Sequence, residues 1–203
     1  MSSKKFWSNA VRNSGQILYL LGFFIFVLCA AATTEADEEK WITAEQNIVR
    51  LLVEEFPSLP SDHKRFLREM GCTIPQPGDT ESERTNVIVG EFAKRGQKDW
   101  AVLCSPNGIS SIVVLWGGAA TCPSEINSVP DRNYLQVIGR DFLGFSREIA
   151  PMTPKAISDR YKAWRYGHPP NVDHDSIDDI FVNKGSVTYY CTNGSWMVLG
   201  GSD

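Results

Sequence analysis

An α+β fold, with helices packed on a mostly antiparallel sheet, is what this sequence predicts, and three observations predict it. Apolar residues recur with a helical period between Thr43 and Met70. From Asn86 onward the period becomes that of extended chain, in short β-rich runs separated by turns containing Gly and Asn. Within that half, Thr153 and Pro154 open a third helical stretch through about Trp164, threonine being favoured at the cap and proline at the first helical position.

A different kind of segment stands ahead of the domain. Lys4, Lys5 and Arg12 precede the apolar run Ile17 to Cys29, and Ala30, Ala31 and Ala32 follow it. A basic start, an apolar stretch and small residues for a peptidase predict a secretory signal over residues 1–32, cleaved after Ala32, and a secreted or periplasmic product. The alternative is a membrane anchor retained over residues 17–32, a run about one turn short of the roughly 20 residues a spanning helix needs. Leu28 before Cys29 argues against a lipid anchor, which wants a small residue there.

Cleavage takes the formal charge from −4 to −7, because the removed piece holds three basic residues and no acidic one. Nucleic acid is excluded as a partner by that charge, and membrane contact is expected only through the first segment if it is retained. Residues 33–40 read as a flexible acidic leader, and residues 41–203 as a single domain long enough to bury a core. No internal repeat stands out.

Outside the signal the cysteines are Cys72, Cys104, Cys122 and Cys191. In an exported chain these favour two disulfides, whereas zinc ligation lacks a close Cys-x-x-Cys or Cys/His pair to pre-form a site. The two-residue period puts Trp100, Val102 and Cys104 on one face of a strand, toward the helices that end at Cys72. The first pairing to test is therefore Cys72 with Cys104, leaving Cys122 with Cys191.

The elements follow in order. Thr43 and Gln46 are spaced as in a capping box, predicting a helix that Pro57 closes; Ser61 or Asp62 caps a second helix, which Gly71 ends. Thr73 to Arg84 reads as an irregular connection. Asn86 to Phe92, Asp99 to Ser105 and Ser110 to Trp116 form an antiparallel meander with Ile112 to Trp116 central. A loop over Gly117 to Arg132 leads to strands at Tyr134 to Ile138 and Phe145 to Ile149. Ile177 to Val182, Val187 to Cys191 and Trp196 to Leu199 are the last strands.

The densest polar constellation is Asp173, His174, Asp175, Asp178 and Asp179. Close carboxylates repel unless a positive charge sits among them, so Asp173, His174, Asp175 and Asp178 are candidate ligands for a divalent cation. The pattern is not an EF-hand, since Asp178 and Lys184 stand where glycine and glutamate are required. The competing reading makes the group a solvated turn whose carboxylates cap backbone or pair with Arg and Lys. Ser110 and Ser111 lack the glycines of a nucleophile elbow, and an even set of paired cysteines leaves no thiol nucleophile, so no catalytic residue is assigned. Trp100, Trp116, Trp164, Tyr189, Tyr190 and Trp196 could line a groove, with Tyr189 and Tyr190 on opposite faces of their strand and Tyr190 carried forward as a binding candidate.

Gly71-Cys72-Thr73-Ile74-Pro75-Gln76, Asp99 to Ser105 and Asp173 to Asp179 together resemble a group of uncharacterised bacterial exported proteins, a resemblance that implies export and no particular activity. Gly90-Glu91-Phe92 followed by Asp99 to Leu103 is also similar to one blade of FG-GAP-type propeller repeats. Such repeats hold calcium between those points, where this chain has the basic stretch Ala93 to Lys98, so the calcium role does not carry over. The expected function is a non-enzymatic binding or interaction domain with no cofactor and an unknown partner. The alternative is a metal-dependent hydrolase built on Asp173, His174, Asp175 and Asp178.

Overall fold

The helical period between Thr43 and Phe56 gives way, in the folded chain, to a strand. This computed structural model describes residues 38–78, 84–138, 142–164, 167–168 and 170–200. It divides into two compact units, Met1–Thr43 and Ala44–Asp203, and the expected signal, anchor and most of the leader lie outside the described residues. No helix among the described residues is long and apolar enough to cross a membrane.

A helix described over residues 38–46 (α1) stops where the expected one was to continue. Arg50–Leu52 instead forms β1, pairing antiparallel with Thr73–Pro75 (β2), and Val53–Glu55 makes one 3-10 turn. Tertiary contacts override propensity here. The Arg50 guanidinium bonds the carbonyls of Glu45 and Ile48 and lies 2.8 Å from the buried Asp131 carboxylate, while Val53 and Phe56 turn into a core shared with Ile74. The second helix, α2 (Ser61–Glu69), forms as expected but with Pro60 at its cap and no side-chain cap bond. Gly71 ends it at φ +71, with its N–H and that of Cys72 bonded to the carbonyls of Arg68 and Leu67.

Two four-stranded antiparallel sheets follow. The first has the order β3 (Val87–Gly90), β4 (Asp99–Cys104), β5 (Ile109–Leu115) and β6 (Glu125–Pro130). The meander is as expected, but β6 occupies what the sequence marked as loop. Its extra residue against β5, with Asn127 at φ +50, breaks the alternation that would have betrayed a strand. A hairpin of β7 (Leu135–Ile138) and β8 (Phe142–Phe145) leads to the second sheet, whose order is β12, β11, β10, β9. Here β9 is Arg147–Met152, β10 Ser176–Phe181, β11 Gly185–Thr192 and β12 Ser195–Gly200, with α3 (Pro154–Trp164) between β9 and β10. The Thr153 hydroxyl accepts the Ala156 N–H at 3.2 Å, so that cap is as expected.

Alternation along the strands sorts the side chains into three cores. Ala101, Leu103, Ile112 and Val114 of the first sheet meet Phe145, Ile149 and Ile177 between the sheets. Val102, Cys104, Val113 and Leu115 face outward to Phe56, Leu67 and Ile74. On the outer face of the second sheet Tyr190 and Leu199 pack on Ile157 of α3.

Each four-stranded sheet has a hairpin closed by an Asn-Gly pair, Asn107-Gly108 between β4 and β5 and Asn193-Gly194 between β11 and β12. Both Asn-Gly pairs sit in the left-handed region, at φ +54 and +77 and at φ +50 and +80, as hairpin turns demand. A cysteine in each sheet is in a disulfide, Cys72–Cys104 fastening the outer layer to the first sheet and Cys122–Cys191 joining the loop after β5 to β11.

Closing a 69-residue separation, the second bridge is expected to stabilise the fold by about 4 kcal/mol. Urea unfolding of the C122S/C191S variant measures this. A loss under ~1 kcal/mol would mean that the sheets hold that geometry without the cross-link.

Candidate functional site

The acidic motif is distributed, not gathered, because β10 turns successive side chains to opposite faces. Asp178 points toward α3, where Arg160 grips it through both terminal nitrogens at 3.0 and 2.8 Å and the Thr188 hydroxyl donates at 2.5 Å. Asp179 points between the sheets. Arg147 meets it in bidentate fashion, Nε to Oδ1 and Nη2 to Oδ2 both at 2.9 Å, and the Asn127 amide adds a third bond at 2.8 Å. Asp175 turns back to accept the Glu91 N–H at 3.1 Å, tying the loop before β10 to the end of β3.

Only Asp173, His174 and Tyr190 come together. The Asp173 carboxylate lies 2.8 Å from His174 Nδ1 and accepts the Tyr190 hydroxyl at 3.0 Å, while the imidazole and phenol rings stack 4.3 Å apart. His174 Nε2 faces the Cys191 carbonyl at 3.0 Å, an acceptor, so this nitrogen carries a proton. Both ring nitrogens of the buried His174 are thus occupied, and Tyr190 is itself only 4 % exposed. The His174 bond, and after it the Tyr190 bond, hold the Asp173 carboxyl below the usual carboxylate range. The four candidate cation ligands do not converge, and among the described residues no group of three His, Cys, Asp or Glu side chains could hold a metal ion.

Nor do the aromatics form one groove. Trp116 and Trp196 stack at 6.0 Å across the two sheets, Trp100 donates to the Ser58 carbonyl with His63 against its ring, and Trp164 stands half-exposed on α3. Tyr189 and Tyr190 face opposite ways, Tyr189 toward the inter-sheet core and Tyr190 toward α3.

Sequence reasoning passed over the residue that organises this region. Arg147 is completely buried, and all five of its N–H donors are used: in addition to Asp179 it reaches the Ser110 carbonyl at 3.0 Å, the Ser110 hydroxyl at 2.9 Å and the Asn127 carbonyl at 3.0 Å. Asn86, held at φ +69, closes the opposite edge. Its amide bonds the Pro75 and Arg147 carbonyls, and its oxygen accepts the Ile149 N–H at 2.9 Å. A signal was present: Arg147 shares a strand face with Ile149, and Asp179 one with Ile177, so opposite charges stood at apolar positions of neighbouring strands.

Beside Arg147 a cleft of about 440 Å³ opens between β6 and the β10–β11 hairpin. Tyr134, Phe181, Val129 and Val187 give its apolar walls, and Asp179 and Lys184 its charges. The Arg147 guanidinium lies over the Tyr134 ring at 4.7 Å, and Phe181 meets the same ring edge-on at 5.2 Å. Burial first, then the Asp179 charge, push the Tyr134 phenol up, so at neutral pH it is a hydroxyl.

Since the Asp173 carboxyl is depressed in the fold, its stabilisation is complete above the unfolded value near ~4 and is lost as pH falls through the lower folded value. The acid limb of a stability-against-pH curve is therefore expected to flatten in the Asp173→Asn variant. An unchanged limb in equilibrium unfolding between pH 2 and 5 would remove the linkage. Compared with known proteins, the chain matches no family model, no curated protein and no solved structure.

Proposed function

We propose that the chain is a non-enzymatic binding domain of a bacterial exported protein, acting in the envelope or outside the cell, with the cleft between β6 and the β10–β11 hairpin as its ligand site. The observation that carries this reading is the division of labour among its polar groups. The carboxylates and imidazole of the Asp173 to Asp179 motif bond to partners within the fold, spread over the end of β3, β9, α3 and β11, which suits fastening better than chemistry. Walls of Tyr134, Phe181, Val129 and Val187 leave room instead for a ligand in contact with apolar and aromatic surface. The two disulfides fit an oxidising compartment.

The test uses isotope-labelled protein recovered from the exported fraction, titrated with a panel of small aromatic, sugar and peptide probes by NMR. Shifts are expected to cluster on Tyr134, Phe181 and Val187, to saturate, and to vanish in a Val187→Trp variant that fills the cleft. Amino-terminal sequencing of the same material is expected to begin at Thr33. A stoichiometric divalent ion lost on Asp175→Ala, or turnover of a probe, would contradict the reading and favour a hydrolase.

A further inference from the structure

Of the two charged side chains that line the cleft, Asp179 is in an ion pair among the described residues and Lys184 is not. Asn127 gives an amide hydrogen to Asp179, and the Tyr134 hydroxyl, kept protonated by burial, has a proton to donate. Lys184 lines the same space from the β10–β11 turn, and its ammonium is in no ion pair among the described residues. Asp179 is the remaining charge in the cleft. It is neutralised by Arg147, and its two oxygens already accept three donors. Side chains bearing a hydroxyl and an ammonium, Tyr134 and Lys184, thus line an opening together with apolar Phe181, Val129 and Val187 and polar Asn133 and Ser186. The net local charge is that of Lys184, in a chain whose total charge is −4.

From this juxtaposition we infer that the cleft selects a small organic carboxylate with a flat apolar body. Its carboxylate takes the Lys184 ammonium and the Tyr134 hydroxyl, and its body lies between Phe181 and the two valines. Charge-assisted hydrogen bonds of this kind are about twice as strong as neutral ones, and two converging on one anion give selectivity over a neutral isostere. Lys184 is a single positive charge, so a second negative charge on the ligand finds no partner in the cleft and monoanions are preferred to dianions. The inference rests on the cleft being the binding site and adds the chemistry of what enters it.

Benzoate and benzamide are a matched pair of probes, alike in outline and differing in charge. In titrations of the full oxidised protein, benzoate is expected to bind at one saturable site and benzamide at least ~10-fold more weakly. Lys184→Gln is expected to weaken benzoate ~10-fold while leaving benzamide unchanged, and Tyr134→Phe, which keeps the ring that covers Arg147, to weaken benzoate several-fold. Equal binding of the two probes, or a Lys184→Gln variant with undiminished benzoate affinity, would overturn the carboxylate assignment while leaving the cleft a binding site. So would shifts at the cleft produced by an uncharged sugar and not by benzoate. No shift at the cleft with any probe would overturn both.

Discussion

Everything in the inter-sheet region is arranged around a charge that water cannot reach. A buried guanidinium is tolerated only when its donors are satisfied and its charge is met, and Arg147 has both, through Asp179, Ser110 and Asn127. Those partners come from β10, β5 and the bulge of β6, so one side chain from β9 reads the relative position of both sheets. Slippage of any of those strands by one residue would leave a donor or a carboxylate orphaned in the core. A buried ion pair is weak evidence for net stability, since well-packed apolar side chains can do as well. What this one contributes is a register that nonpolar contacts alone specify less sharply, and with it the floor of the cleft.

The same logic explains the acidic motif. A run of carboxylates in sequence suggests a cation because the charges look adjacent, but an extended strand separates neighbours to opposite faces. Asp178 answers Arg160 on α3, Asp179 answers Arg147 between the sheets, and Asp175 and Asp173 are drawn to Glu91 and to His174 with Tyr190. For Asp178 and Asp179 the positive charge is supplied by arginines of other elements. Asp99 behaves likewise: its buried carboxylate accepts the N–H groups of Ala93 and Gly117 and the amide of Gln97, organising the turn between β3 and β4.

Much of the fold could be read from local pattern. The meander, α2 and the Thr153 cap follow from period and turn chemistry, and of the three cysteine pairings the sequence left open, the one suggested by the facing of Cys104 is present. The failures share a cause in long-range pairing. Residues Arg50–Leu52 kept a helical period yet became β1 because β2 lies across from them, and β6 was hidden by its bulge at Asn127. Of the site, Asp179 was visible, but Arg147, Asn127 and Tyr134 were not, since a lone arginine in a strand resembles a solvated residue until its strand face is compared with that of Ile149.

A double-mutant cycle on Arg147 and Asp179, followed by urea unfolding of the oxidised protein, tests the central claim most directly. Arg147→Met alone is expected to cost ~3–5 kcal/mol by leaving Asp179 buried and unpaired, and adding Asp179→Leu to return most of that loss. A single variant that loses under ~1 kcal/mol, or two losses that simply add, would show that the sheets are positioned without this pair.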